Sequence, residues 1–238
     1  MPRTSRLRLA EVPVHVVQRG HNRAPCFVDS SDYDRYLCLV AELSKESNCQ
    51  VHSYVLMPNH VHLLLTPGHV ESASTFMQGV NQRYVQYVNR KRKRTGSLWE
   101  GRFRSSLVDS ENYFFICQRY IEMNPVRAAL VDFPGQYRWS SYRANAEAAL
   151  SEIVCPHQLF IALGSSEGER RKNYRALFQE PLSAMKLERI RHATRLGRPL
   201  GGEVFVSVMA GLFGDRAAPR PPGRPRKDDV AGPGEIPV

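Results

Sequence analysis

Two histidines separated by one residue are the feature of this sequence best suited to chemistry. They form the run His60-Val61-His62 among strand-forming residues. Because side chains alternate along a strand, both imidazoles would lie on one face, with Val61, Leu63 and Leu65 on the other. Imidazole binds borderline divalent ions, and two such ligands leave positions for an oxygen ligand, a phosphate oxygen and water. The spacing fits an open metal site, although a half-exposed strand that happens to carry histidines has the same pattern.

A tyrosine and an asparagine four residues apart form the second candidate group. On a helix, Tyr120 and Asn124 would lie on the same face. A phenol is a poor nucleophile at neutral pH, so it needs a cation or base nearby and an electrophile that is already polarised. An ion bound by the two histidines could polarise that electrophile. The alternative, which periodicity alone favours, is that Tyr120 belongs to a buried stripe with Tyr113 and Ile116.

Basic residues with neighbouring aromatic rings form the third group. The candidates are Arg19, Arg23, Arg90, Lys91, Arg92, Lys93, Arg94, Trp99, Arg102 and Arg104. Lys and Arg neutralise phosphates, and exposed aromatic rings stack on unpaired bases. The group therefore predicts a DNA-binding surface, with a merely solvated basic face as the alternative.

The composition agrees with a polyanionic partner. The chain has 33 Lys plus Arg against 23 Asp plus Glu, a net charge of +10, and ordinary globular proportions of hydrophobic (42%) and charged (24%) residues. Five cysteines without a C-x-x-C pair exclude a disulfide framework and a sulfur-rich zinc site. The N-terminus has no apolar signal region, and no long apolar run could span a membrane. We therefore expect a soluble, cytoplasmic protein with no membrane partner.

The elements that must position these groups follow the order β-α-β-β-α-β-α. The spans are a strand at Pro13 to Gln18, a helix from Asp29 to Ser47, a hairpin from Gln50 to Pro67 turning at Pro58-Asn59, a helix from Ala73 to Arg90, a strand near Arg104 to Val108, and a helix from Glu111 to Asn124 stopped by Pro125. The first six elements have the split βαβ order of an α+β, ferredoxin-like fold, with an antiparallel sheet and two helices on one face. The last helix is additional and carries Tyr120.

Three regions are predicted along the chain. Residues 1–145 would form the catalytic domain, and residues 146–216 a mostly helical C-terminal extension in which Glu169 to Arg195 is helix-permissive. Residues 217–238 are rich in proline, glycine and basic residues, which predicts disorder. Within that tail, Pro222 to Arg226 resembles an AT-hook core, and a plain solubilising linker is an equally good interpretation.

Four ordered blocks of the sequence resemble the HUH single-tyrosine transposases, particularly the REP-associated tyrosine transposases and their insertion-sequence relatives. They are VPVHVVQRGHNR, YVLMPNHVHLLL, SLWEGRFRSSLV, and RYIEMNPVRAALV followed by WSSY. The resemblance implies that His60 and His62 bind a divalent ion, Mg²⁺ or Mn²⁺, and that Tyr120 is the nucleophile. Asn124 would complete the metal shell with an amide oxygen, at a position where relatives carry the longer glutamine.

The activity implied by this resemblance is cleavage and rejoining of single-stranded or hairpin DNA through a 5′-phosphotyrosine, by a monomer or homodimer at the bacterial nucleoid. The C-terminal extension would then recognise a particular DNA end. A second hypothesis is a domesticated protein that binds DNA hairpins without cutting them. A third is an RNA-binding module of the same fold, which the absence of an aromatic RNP1-like octamer argues against.

Overall fold

Four antiparallel strands form the sheet that positions the candidate residues. A computed structural model describes residues 5–217 of the chain. The strands are β1 (Val14–Arg19), β2 (Cys49–Met57), β3 (His60–Pro67) and β4 (Arg104–Leu107). Their spatial order is β2-β3-β1-β4, so β3 and β1 are central. The predicted α+β class and antiparallel sheet are confirmed.

Helices account for most of the remaining chain. Between residues 5 and 217 they are α1 (Ser30–Glu46), α2 (Ser72–Lys91), α3 (Ser110–Glu122), α4 (Asn124–Arg127), α5 (Tyr142–Glu147), α6 (Gln158–Ile161), α7 (Glu167–Ala176), α8 (Ala184–Leu196) and α9 (Glu203–Phe213). In this part of the chain, no helix combines the length and the apolar character needed to cross a bilayer.

The two faces of the sheet are covered by different helices. On one face, Val61, Leu63 and Leu65 of β3 belong to a core that also contains buried residues of α1 and α2. On the other, Leu64 belongs to a second core with residues of α3 and α8, among them Ile121. The predicted placement of two helices on one face is confirmed. The strand that carries His60 and His62 is thus held from both sides.

The region around Pro125 differs from the predicted helix stop. α3 ends at Glu122, and Pro125 lies in the first turn of α4. Proline is tolerated there because the N–H it lacks would have no partner within the helix. The chain therefore resumes a helical path just beyond Asn124 and carries Arg127 back toward α3.

The C-terminal region packs onto the sheet. Isolated bridges join Val51 to Val154 and Val108 to Leu200. The predicted helix-permissive stretch is two helices, α7 and α8, with Pro181 between them. The tail predicted to be disordered lies outside the described residues, apart from Ala217.

A buried carboxyl group connects α3 to this C-terminal region. Glu122 is fully buried, and its oxygens accept hydrogen bonds from Ser141 (2.6 Å), Asn145 (2.8 Å) and Tyr174 (2.7 Å). Burial raises the pKa of Glu122 from 4.5 to about 7, although the three hydrogen bonds oppose the shift. The folded protein therefore binds a proton that the unfolded chain releases between these two pH values.

This difference predicts a pH-dependent stability that Glu122→Gln should remove. Because Glu122 has the higher pKa in the folded state, its contribution is complete below pH 4.5 and is lost as the pH rises through about 7. We expect the free energy of unfolding of the wild type to fall by up to about 3 kcal/mol relative to Glu122→Gln across that range. Urea unfolding of both proteins at pH 5 and pH 8 measures this difference in the free energy of unfolding. Parallel pH profiles would contradict the prediction.

Candidate active site

The residues predicted to do chemistry meet in one cleft of about 330 Å³ at the α3 face of the sheet. Its lining consists of Val17, Gln18, Arg19, His60, His62, Glu100, Arg102, Arg104, Tyr120, Asn124, Arg191, Thr194 and Arg195. The structure thus brings together the two histidines, the tyrosine and the asparagine, which the sequence places on different elements.

The two imidazoles and the phenol are close neighbours. The ring centroids of His60 and His62 lie 5.0 Å apart, and that of Tyr120 lies 5.8 Å from His62. Tyr120 is 8% exposed and also contacts the second core. Tyr120 is therefore part of the buried stripe that its periodicity predicts, and it is also part of the cleft wall.

Hydrogen bonds orient both histidines. Nδ1 of His60 lies 2.7 Å from Oδ1 of Asn59, whose own amide donates to the carbonyl of Arg23 at 3.1 Å. The oxygen of Asn59 can only accept, so Nδ1 of His60 carries the proton. In His62, Nδ1 lies 2.9 Å from Nε2 of His15. In both rings Nε2 is left as the nitrogen available to a ligand.

Both candidate metal-binding histidines are neutral at physiological pH. Burial lowers the pKa of His60 to about 4, assisted by the charge of Arg19. Burial lowers the pKa of His62 well below its ordinary value, and nearby positive groups act in the same direction. Neutral imidazole is the form that binds metal ions, so both rings have the protonation state that a ligand needs.

The side chains that could act as metal ligands fit a divalent ion that keeps some coordination positions open. Among residues 5–217, no three His, Cys, Asp or Glu side chains converge as a metal site. Asn124 lines the cleft, and its amide nitrogen donates to the carbonyl of Tyr120 at 3.2 Å. This bond leaves its oxygen for another partner. Two imidazoles and an amide oxygen suit an ion that also binds phosphate oxygen and water.

Arg127 is a neighbour of Tyr120 that the sequence reasoning missed. Its guanidinium donates to the Tyr120 carbonyl at 2.6 Å and lies 4.3 Å from the centre of the Tyr120 ring. Burial lowers the pKa of Arg127, yet arginine stays charged at neutral pH. Tyr120 and Arg127 are seven residues apart, or two helical turns, and this spacing is the sequence pattern that indicates their contact.

The walls of the cleft are basic. Three of the arginines predicted to bind DNA, Arg19, Arg102 and Arg104, line it, and the C-terminal region contributes two further cations, Arg191 and Arg195 of α8. Their spacing of four places them on one helix face, a pattern that is visible in the sequence. Against these five arginines the lining includes a single carboxylate, that of Glu100. The cleft therefore attracts an anion such as a phosphodiester.

The basic run at the end of α2 lies elsewhere. Lys91 pairs with Asp29 (2.8 Å) and Asp32 (2.9 Å), and Arg92 pairs with Asp32, which is fully buried. These partners compensate the two charges. Arg90 and Lys93 are exposed, while Arg94 donates to the Ser97 carbonyl, and none of the run lines the cleft. Arg23 also lies outside it.

Trp99 is buried, in contrast to the base-stacking role that the sequence predicts. Its side chain is only 6% exposed, and its ring packs near Tyr36 and Tyr84. A backbone bridge from Gly20 to Trp99 holds this loop against the end of β1 and directs the indole into the α1–α2 core. The prediction of an exposed stacking ring is therefore wrong.

Comparisons with known proteins find similarity to transposases. Residues 9–124 match the sequence model of a family described as IS200-like transposases. A REP-associated tyrosine transposase bound to a REP hairpin aligns with 66% of this chain and 93% of its own, at 14% identity and a TM-score of 0.54, which shows a shared fold. A candidate transposase from Deinococcus radiodurans R1 aligns with 51% of this chain and 96% of its own, at 22% identity and a TM-score of 0.36. No curated protein is significantly similar. Over residues 9–124, the chain is therefore similar to the IS200-like transposases.

Proposed function

We propose that this protein is a DNA transposase that cleaves and rejoins single-stranded DNA, beside a hairpin, through a covalent bond between Tyr120 and a 5′ phosphate. The observation that carries the proposal is the meeting of Tyr120 with His60 and His62 in one basic cleft. A buried tyrosine with no chemical role would not need two neutral imidazoles and an arginine-lined opening beside it.

The reaction is an exchange of one phosphodiester for another. The phenolic oxygen of Tyr120 attacks phosphorus and loses its proton. The bond from phosphorus to the 3′ oxygen breaks, and that oxygen leaves as a hydroxyl after gaining a proton. The products are a 5′-phosphotyrosine and a free 3′-hydroxyl. Because the bond energy is conserved, a later 3′-hydroxyl can reverse the step without a nucleotide cofactor.

The chain's own residues hold and align the strand. Arginines on both sides of the cleft bind the phosphates that flank the scissile one, and Arg127 fixes the ring of Tyr120. Mg²⁺ or Mn²⁺, held by His60, His62 and Asn124, would withdraw charge from the scissile phosphate. The fixed positive charges of the arginines would also stabilise the transition state, because it carries more negative charge than the bound strand.

A DNA hairpin is the partner that we infer. The protein of shared fold at a TM-score of 0.54 is bound to a REP hairpin. The five arginines that line the cleft suit the phosphates of a DNA strand. A protein that binds hairpins without cutting them would use the same basic surface, so covalent chemistry separates the two hypotheses.

Tyr120→Phe should abolish formation of a covalent adduct, since it removes only the attacking oxygen. Hairpin oligonucleotides with single-stranded flanks, drawn from inverted repeats beside the gene, are incubated with Mn²⁺ and run on a denaturing gel. Label at the 3′ end should move with the protein, while label at the 5′ end should not. Tyr113→Phe, on the same helix, is the matched control. An adduct with Tyr120→Phe would refute the assignment, and no adduct from the wild type on any substrate would favour the non-cleaving binder.

Replacing the histidines should separate cleavage from binding. We expect His60→Ala and His62→Ala each to lose metal-dependent cleavage while retaining most hairpin affinity, because phosphate contacts supply that affinity. Cleavage on gels and Kd from fluorescence anisotropy are measured on the same proteins. Normal cleavage by both variants would place the ion site elsewhere.

The arginines of α8 should contribute to the salt dependence of DNA binding. Replacing Arg191 and Arg195 by glutamine should weaken binding and reduce the slope of log K against log salt by about 0.7 for each lost phosphate contact. The control with equal charge loss replaces Arg83 and Arg143, which pair with carboxylates away from the cleft. An equal change in both double variants would show a general charge effect and contradict the assignment. Replacing Arg90 and Lys93 tests the exposed basic run separately.

A further inference from the structure

A buried hydrogen-bonded chain runs from the C-terminal extension to the metal-binding face of β3. Oγ1 of Thr194 on α8 lies 3.1 Å from Nδ1 of His15 on β1, and Nε2 of His15 lies 2.9 Å from Nδ1 of His62. The same hydroxyl donates to the carbonyl of Ile190 at 2.8 Å. His15 is fully buried, and His62 and Thr194 are 5% and 9% exposed.

The direction of each hydrogen bond follows from counting protons. The single hydroxyl proton of Thr194 goes to Ile190, so the oxygen must accept from His15. Nδ1 of His15 therefore carries the proton of that neutral ring, and its Nε2 is an acceptor. Nδ1 of His62 must then be the donor in the pair. His62 is left with its proton on Nδ1 and a free electron pair on Nε2.

The ring geometry agrees with this assignment. The planes of His15 and His62 are inclined by 14°, which allows a hydrogen bond between nitrogens in the ring planes. Without Thr194, the bond between two imidazoles has no preferred direction. His15 could then donate from Nε2, and the proton of His62 would move to the nitrogen that faces the cleft.

We propose that Thr194 and His15 are positioning residues that hold His62 in the tautomer able to bind a metal through Nε2. The inference rests on the proposed function, because it takes His62 as a metal ligand. Asn59 has the corresponding role for His60. On this account the extension is part of the metal site, in addition to any contact with DNA.

A second threonine–histidine pair provides a matched control. Oγ1 of Thr66 lies 2.9 Å from Nε2 of His52, whose Nδ1 lies 2.8 Å from the carbonyl of Cys155. This pair is also buried, but it does not line the cleft. Thr66→Val therefore removes a comparable hydrogen bond without touching the proposed metal site.

The test compares full-length wild type with Thr194→Val, Thr194→Ser and Thr66→Val. Long-range ¹H–¹⁵N spectra of the metal-free proteins report which nitrogen of His62 is protonated, and electron paramagnetic resonance measures Mn²⁺ affinity. We expect Thr194→Val to give His62 protonated partly on Nε2 and Mn²⁺ binding weakened about tenfold or more. Thr194→Ser, which keeps the hydroxyl, should restore both, and Thr66→Val should change neither. If Thr194→Val does not fold, Thr194→Ala makes the same comparison.

Two results would overturn the proposal: unchanged tautomer and affinity in Thr194→Val, or an equal loss of Mn²⁺ affinity in Thr66→Val. The double variant His60→Ala, His62→Ala distinguishes this failure from failure of the proposed function. If the double variant binds Mn²⁺ as tightly as the wild type, the metal site itself is wrong. If it loses Mn²⁺ while Thr194→Val behaves as wild type, only the positioning role is wrong.

Discussion

The alternation of side chains along β3 is the constraint on which the site depends. Val61, Leu63 and Leu65 are committed to the core under α1 and α2, so His60, His62 and Leu64 must face α3. A slip of one residue would put both imidazoles into the apolar core and three aliphatic side chains into the cleft. The hydrophobic energy of the two cores therefore determines which face of the sheet carries the two imidazoles.

On that face, polar contacts from several elements complete the arrangement. β3 supplies the imidazoles, α3 the phenol, and α8 both cations and a hydroxyl. Glu122, two residues beyond Tyr120, ties α3 to α5 and α7 by buried hydrogen bonds. The predicted extension at residues 146–216 thus contacts α3 through Tyr174 and lines the cleft through Arg191 and Arg195. Cutting and binding of DNA would share one rigid framework.

Local sequence patterns predict the helices and strands and place His60 and His62 on one face of a strand, because hydrophobic periodicity reflects burial directly. Contacts between distant residues could not be predicted in this way. Thr194 contacts His15 although 179 positions separate them in the sequence, and the residues next to either one give no sign of this contact. The buried Asp32 sits about 60 residues from the cations that it pairs with. Trp99 lies in a loop whose direction is set by a bridge to Gly20, so periodicity gave no information on its burial.

The most direct test of the central claim is an anomalous scattering map from crystals of the full chain soaked in Mn²⁺. We predict a manganese peak within coordination distance of Nε2 of both His60 and His62, on the side of the cleft that faces Tyr120. A peak bound through Nδ1 of either ring, or manganese found only at another site, would contradict it.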